Sequence, residues 1–321
     1  MVGNPNVGKS ALFNRLTGSY VVVSNYPGTT VEVSRGKCRI GKEEFNVEDT
    51  PGMYSLLTIT EEERVTRDIL LAGKADVILH VLDAKNLKRI LSLTLQLIEA
   101  DLPVVLVLNM IDEAERLGID INTSLLEQKL GIPVAAISAL SGKGVKTLKE
   151  KIVSYHHPES TPEIYYGTAI DAALNALAPI MPADRGLSQW TLALLMIQGD
   201  EAIAKEEREL EGKSTDFLDA ILTELEDQID EPASYTVPMM LHQSAVSICE
   251  EVFTPPAHRG KSFADRLSGW TMRPLTGVPI LLLVLYFGPV SYTHLTLPTN
   301  VSMCGCRGAR GQGRGGGGGG G

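Results

Sequence analysis

Basic charge is in short supply. Against 39 Asp and Glu the chain sets 29 Lys and Arg, a formal net charge of −10 at pH 7. Binding to nucleic acid through a basic face is not expected, because phosphate contacts need clustered Lys and Arg. Cysteine is scarce as well: Cys38, Cys249, Cys304 and Cys306. These make no disulfide framework and fit a reducing compartment. Cys304-Gly305-Cys306 is an isolated pair in a Gly-rich tail, and no Cys, His or Met cluster builds an iron site. Long apolar runs are missing too. The densest, Val278 to Phe287, is about half of the ~20 residues that span a bilayer. What remains is ordinary for folded protein, 44% hydrophobic and 21% charged, and 321 residues suggest about two domains.

The chain opens on Gly3-Asn4-Pro5-Asn6-Val7-Gly8-Lys9-Ser10, which fits the phosphate-loop pattern GxxxxGK[ST]. In such a loop successive backbone N–H groups curl around the α/β-phosphates. Lys9 reaches the β/γ-phosphates, and the Ser10 hydroxyl ligates Mg²⁺. The run Ala11 to Leu16 reads as a helix whose N-terminal dipole faces the anion. Only Met1 and Val2 precede Gly3. The strand that should lead into the loop is therefore expected to be truncated, with the native start several residues upstream.

Three later segments fit the same chemistry. Asp49-Thr50-Pro51-Gly52 ends a strand-like run, offering a carboxylate near Mg²⁺ and a Gly52 N–H for the γ-phosphate. Asn109-Met110-Ile111-Asp112 follows the apolar run Val104 to Leu108, and Asp112 can accept both N1–H and N2–H₂ of guanine, an arrangement adenine lacks. Ser138-Ala139-Leu140 follows Val134 to Ile137 and suits backbone contact to guanine O6. Tyr26-Pro27-Gly28-Thr29-Thr30 is turn-rich, and Thr30 offers a second hydroxyl for Mg²⁺. Each segment lies at the carboxyl end of an apolar strand, the edge where open α/β sheets bind ligands. The predicted ligands are GTP or GDP with Mg²⁺.

Strand and helix patterns alternate over residues 1–157, so the fold class is α/β: a P-loop GTPase domain, a mostly parallel sheet flanked by helices. Residues 31–40 and 44–49 predict a hairpin turning near Gly41. Helices are expected at Thr60 to Leu71, Leu87 to Glu99, Leu125 to Leu130 and Val145 to Val153. Residues 158–268 change to an all-α pattern, with helices near Ala169 to Ala178, Leu187 to Ile197, Phe217 to Ile229 and Pro238 to Val252. The acid-rich stretch from Gly199 to Glu231 reads as a solvated helical surface. Residues 269–290 read as the start of a membrane segment. Arg259, Lys261, Arg266 and Arg273 precede it, as a cytoplasmic flank should. No signal-peptide pattern lies ahead of it, so residues 1–268 are expected on the cytoplasmic side. Residues 291–321, ending in glycines, read as a disordered and non-native tail.

Together GNPNVGKS, NYPGTTVE, DTPGMYSL, NMID and SAL resemble the cytosolic G domain of the ferrous iron transport protein B family. Residues 160–265 are similar to that family's helical, dissociation-inhibitor-like domain, and RPLTGVPILLLVLYF resembles the start of its first transmembrane helix. The resemblance implies a GTPase gating or driving Fe²⁺ uptake at a bacterial inner membrane, with the lipid bilayer and Fe²⁺ reached through a membrane domain absent here. It also implies that Asn6 helps bind K⁺ beside the phosphates; a loop-stabilising hydrogen bond is the other reading of Asn6. Met53 stands where Ras-type enzymes place a water-orienting Gln, so intrinsic hydrolysis should be slow. Lys9, Thr30, Gly52 and Asn6 are the catalytic candidates. A soluble ribosome-assembly-type GTPase and a nucleotide-binding switch without significant turnover are the alternatives, and the sequence leaves room for a homo-oligomer.

Overall fold

The computed structural model describes residues 1–18, 21–72, 75–158, 162–183, 185–205, 215–254, 277–279 and 281–286. Residues 1–257 form one compact unit and 258–321 a second.

In the first unit a parallel sheet runs β4 (Ile78–Asp83), β5 (Val104–Asn109), β7 (Val134–Ala136), in that spatial order. β4 and β5 are buried at every position. Helices cover both faces of such strands, and an uninterrupted apolar sequence is the result. A second sheet is antiparallel: β1 (Val21–Asn25), β2 (Glu32–Ile40) and β3 (Glu43–Asp49). The predicted hairpin is β2–β3, turning at Gly41, whose φ of 61° a glycine adopts without strain. β1 was not expected from sequence. It pairs antiparallel with β2, so this half of the domain is less parallel than the pattern suggested.

Ahead of the phosphate loop stands a single bridge residue. Val2 N–H donates to the Leu79 carbonyl at 2.9 Å, and Val81 N–H donates to Val2 at 2.8 Å, forming one parallel bridge to β4. On its other side Thr50 N–H donates to the Met1 carbonyl at 3.2 Å. Two residues thus join β3 to β4 and aim the next residue, Gly3, at the sheet's carboxyl edge.

The helices of this part are α1 (Lys9–Thr17), α2 (Glu61–Leu71), α3 (Leu87–Glu99), α4 (Ile111–Leu117), α5 (Thr123–Leu130) and α6 (Val145–Val153). α2 begins with a capping box: Thr60 Oγ1 accepts from Glu63 N–H, and the Glu63 carboxylate accepts from Thr60 N–H. Unexpected are α4 and the short strand β6 (Asp120–Ile121), which pairs with β8 (Phe253–Thr254).

The all-α part holds α7 (Thr168–Leu177), α8 (Gln189–Ile197), α9 (Thr215–Gln228) and α10 (Ala233–Val252). α10 starts five residues before the expected Pro238. Tyr235 and Thr236 N–H both donate to the Pro232 carbonyl, so the first turn is closed before the proline removes a donor. α8 is buried from Thr191 through Ile197, and α10 packs along α3. α3 is therefore covered on both sides, by the sheet and by the helical part.

In the second unit, residues 277–279 and 281–286 are helical and their apolar side chains exposed. Among the described residues no helix is long and apolar enough to cross a membrane. The basic flank, the rest of 269–290, the tail 291–321 and the pair Cys304 and Cys306 lie outside the described residues.

Candidate functional site

The phosphate loop takes its shape from three requirements on its glycines and one on its lysine. Gly3 has φ 150°, and a Cβ there would meet the Val81 carbonyl oxygen at 2.2 Å. Gly8 has φ 86°, and a Cβ there would meet Asn109 Nδ2 at 2.3 Å. Gly8 caps α1 without a side-chain hydrogen bond, so the first N–H groups of the helix are free for an anion. Gly52, the third, lies against the loop: a Cβ would meet Pro5 Cγ at 2.6 Å. Lys9 Nζ donates to the Gly3 carbonyl at 2.9 Å and the Asn4 carbonyl at 3.0 Å. Its burial lowers its pKa, and the nearby Asp49 carboxylate opposes that shift.

Asp49 stands at the end of β3. Ser10 Oγ donates to Asp49 Oδ2 at 2.8 Å, while Asp49 Oδ1 is buried with no partner. A hydroxyl and a carboxylate oxygen in contact, with a second carboxylate oxygen unpaired, is a donor set suited to Mg²⁺. An orphaned buried acceptor costs about 1–3 kcal/mol, so its retention favours a bound partner. Asn4 Oδ1 is likewise buried and unpaired. Asn6 is exposed at φ 64°, and its side chain makes no hydrogen bond among the described residues. The loop-bracing alternative for Asn6 finds no support in this geometry.

The base end is built by β5 and β7. Asn109, at the end of β5, is 2% exposed. Its Nδ2 donates to the Val7 carbonyl and its Oδ1 accepts from Ala139 N–H, both at 2.9 Å. The expected nucleotide contact of Asn109 is therefore accompanied by a brace between the phosphate loop and the 138–140 loop. That brace engages Ala139 N–H, one of the backbone groups expected to reach guanine O6. Ser138 is buried, and its Oγ accepts from Ser141 N–H at 3.3 Å, closing the loop as a turn. Leu140 is exposed. Met110 adopts φ 59° and caps α4, which sets Asp112 in the first turn, half-buried and without a hydrogen bond among the described residues.

Thr30 is the candidate that no hydrogen bond joins to Ser10 and Asp49. It is exposed in the turn between β1 and β2. Thr29 N–H donates to the Tyr26 carbonyl at 3.0 Å across Pro27-Gly28, with Gly28 at φ 80°. Pro and a left-handed Gly at the two central positions suit a type II turn. Met53 is fully buried, its N–H donating to the Gly3 carbonyl at 3.2 Å, so its side chain cannot serve a water.

Sequence reasoning missed several groups. Glu63 is buried, and its carboxylate also accepts from Tyr54 N–H at 3.1 Å and Ile59 N–H at 3.0 Å, pinning the loop after Gly52. The Thr60-x-x-Glu63 spacing was a readable signal for it. Gln96 on α3 accepts from Leu56 N–H at 2.9 Å. Arg67 on α2 pairs with Asp200, both almost completely buried. Nothing local in the sequence announces that pair.

Comparison with known proteins agrees with this geometry. A family model described as ferrous iron transport protein B matches residues 1–152, and one for the FeoB cytosolic helical domain matches residues 166–254. Solved relatives superpose over both parts. The cytosolic domain of the T. maritima FeoB iron transporter in apo form is 30% identical, with TM-score 0.69 over 79% of this chain and 97% of that one. An S. thermophilus NFeoB mutant bound to GDP is 33% identical, with TM-score 0.70 over 79% and 98%. The chain belongs to the ferrous iron transport protein B family. Among curated members, the Fe(2+) transporter FeoB of Escherichia coli is 35% identical over 292 residues. Those residues are 89% of this chain and 37% of that protein, so the chain spans little more than a third of the curated relatives it matches.

Proposed function

We propose that this chain is the GTP-binding and GTP-hydrolysing cytosolic part of a membrane transporter that gates or drives Fe²⁺ uptake. The observation carrying this reading is the convergence of four sequence-distant segments on one sheet edge. Ser10 joins the phosphate loop to Asp49, the Asn109 brace joins it to the 138–140 loop, and Asp112 follows in the first turn of α4. Gly3 through Ala11 would cradle the phosphates, with Lys9 as the counter-charge. Gly52 N–H would hold the γ-phosphate, and Asp112 would read the guanine edge. Met110, between Asn109 and Asp112 in the chain, would lie along the base. Solved relatives described as GDP and GMPPNP forms support guanine nucleotide as the ligand.

Ser10 and Asp49 would hold Mg²⁺, with Thr30 adding a hydroxyl when the 25–32 loop closes. When bound, Mg²⁺ neutralises charge on the β- and γ-phosphates. Loss of the γ-phosphate would release residues 25–32 and 50–60, an order–disorder switch. The buried Met53 leaves no side chain at that position to orient water, which supports slow intrinsic hydrolysis. Asn6, exposed and unpaired, is the residue we assign to a K⁺ ion that would stand in for an arginine finger. The membrane domain of the curated relatives would carry Fe²⁺ through a bacterial inner membrane, with residues 1–268 on its cytoplasmic side.

Two measurements test this. Titration with mant-GDP, mant-GTP and mant-ATP should give guanine-selective binding, and Asp112→Asn should move preference toward xanthine, whose 2-oxo group an amide can serve. Equal affinity for mant-ATP would overturn the assignment. GTPase rates should be higher in KCl than in NaCl, toward the roughly 10³-fold or more that an arginine finger supplies in other GTPases, and Asn6→Ala should erase the difference. Equal rates in both salts would remove Asn6 from catalysis. The burial of Met53 also favours a second reading, a switch that binds GTP without turning it over. Tight GTP binding with no phosphate released over hours in a single turnover would select it.

A further inference from the structure

The last turn of α1 carries one cation, Arg15. A cation suits that helix end electrostatically, but Arg15 does something more directed. Its Nε donates to the Ala139 carbonyl and its Nη2 to the Leu140 carbonyl. The planar fork of a guanidinium matches two successive carbonyls as a lysine cannot. Its other edge rests on Gly142: a Cβ there would come within 2.7 Å of Nη1. Gly142 has φ 86°, and its N–H donates to the Ser138 carbonyl at 2.8 Å, so the loop closes around the guanidinium.

The 138–142 loop is therefore held at two points. Asn109 takes Ala139 N–H and ties it to the Val7 carbonyl. Arg15 takes the carbonyls of Ala139 and Leu140. Both ties end on one rigid piece, the phosphate loop and the helix it opens. Asn109 fixes the loop's distance from that piece. Arg15 fixes the tilt of its peptide planes, because a peptide whose carbonyl is held by the guanidinium turns its following N–H to the opposite side. With the Ala139 carbonyl pinned, the Leu140 N–H of the same peptide faces away from the guanidinium, while the Ser141 N–H behind the Leu140 carbonyl is held by Ser138 Oγ.

We infer that Arg15 is a positioning residue for guanine recognition: it orients the base loop against the phosphate loop and so sets how long a guanine nucleotide stays bound. The role assigned to Arg15 runs through the Ala139 and Leu140 carbonyls and needs no contact with the nucleotide. The inference rests on the guanine-nucleotide reading above, and it adds the residue that links the two ends of that ligand's site.

The test uses the full chain, with Arg15→Ala and Arg15→Lys beside the wild type. Displacement of mant-GDP by excess GDP gives the dissociation rate. Arg15→Ala should speed it on the order of tenfold, the loss of hydrogen bonds from a charged group to a part-exposed site. Arg15→Lys should fall between, since an ammonium cannot hold both carbonyls in plane. Competition against mant-GDP by 2-aminopurine riboside diphosphate, which has no O6, supplies the readout that general loosening would not give. The wild type should prefer GDP over this analogue, and Arg15→Ala should shrink that preference by the factor seen in the dissociation rate. An unchanged mant-GDP rate, or equal weakening of GDP and the analogue, would overturn the inference. A wild type that binds no guanine nucleotide would overturn the functional reading and this one with it. Arg15 is exposed, so the alanine variant is expected to fold, and matching thermal unfolding of the three proteins checks that.

Discussion

Polar groups are treated in opposite ways at the nucleotide edge and at the seam where α2 and α3 meet the helical part. At the edge, Asp49 keeps one oxygen buried and unpaired, Asn4 keeps another, and the Asn6 and Asp112 side chains make no hydrogen bond among the described residues. At the seam the Asp200 carboxylate is engaged on both oxygens, while Arg67 Nε and Gln198 Oε1 stay buried without a partner. Asp200 receives Arg67 on one oxygen and the N–H groups of Ala202 and Ile203 on the other. Glu99 receives the Tyr166 hydroxyl at 2.6 Å, and Ser188 Oγ donates to the Glu99 carbonyl at 2.6 Å. A protein that leaves acceptors unpaired at one place while satisfying buried charge at another is not short of means to pair them. The Asp49 and Asn4 oxygens stand where the proposed ligand would complete the structure; the Asp200 and Glu99 contacts join two parts of the chain.

The contrast breaks most visibly at Lys9. Lys9→Ala removes the only Lys or Arg within the phosphate loop and with it the charge-assisted hydrogen bonds we propose it makes to phosphate. GTP affinity should fall on the order of 10³-fold, about 4 kcal/mol, while denaturant unfolding changes far less. The free energy lost would lie in binding because the group serves a ligand. A variant that binds mant-GTP normally would mean the edge is not a phosphate site. At the seam the reverse holds. Asp200→Ala leaves the buried Arg67 charge without its partner, which costs about 3–5 kcal/mol of stability. Asp200→Asn keeps an acceptor for the following N–H groups and should separate the charge from the cap. Urea titration reads both, and a loss under about 1 kcal/mol for the alanine variant would show that the pair is solvated in solution.

The same division explains what was legible beforehand. Gly3 to Ser10, Asp49, Asn109 and Asp112 stand in short motifs whose chemistry is local, and the βα alternation placed them at one edge. Strands β4 and β5 were readable from the continuous apolar runs Val77 to Leu82 and Val104 to Leu108, and the covered helix α3 from apolar residues at helical spacing. The seam was not. Arg67 and Asp200 are 133 residues apart, as are no two partners within a motif, and only packing brings them together. Arg15 and Asn109 are similar: their carbonyl and N–H partners lie in other segments, and backbone groups leave no trace in a sequence. β1 was missed because Val21 to Asn25 lacks alternation, its pairing being decided by β2 rather than by its own pattern. Pro238 misled in a simpler way, since a proline suits a helix start and here sits one turn inside it.

The gentlest probe of the comparison is pH, and it acts on the seam. Burial pushes the Glu99 carboxyl up to about 7 from its ordinary 4.5; the Tyr166 hydroxyl and the Trp190 side chain oppose the shift by hydrogen bonding, while the Asp171 carboxylate reinforces it. A raised acid binds its proton more tightly in the folded state than in the unfolded one. Between about pH 4.5 and 7 the native chain therefore holds a proton that the unfolded chain has released, and stability falls as pH rises through that window. Above pH 7 this loss is complete, on the order of 2 kcal/mol once partial solvent access at the site is allowed for. Glu99→Gln keeps an oxygen to accept from Tyr166 and cannot ionise. The difference in unfolding free energy between wild type and variant should slope downward from about pH 5 to 7 and then level, with the variant the more stable protein at pH 8. Parallel curves would mean that Glu99 is solvated in solution and that the seam tolerates a free charge as the nucleotide edge does. A slope confined to that window would show that the seam admits the carboxyl only in its neutral form.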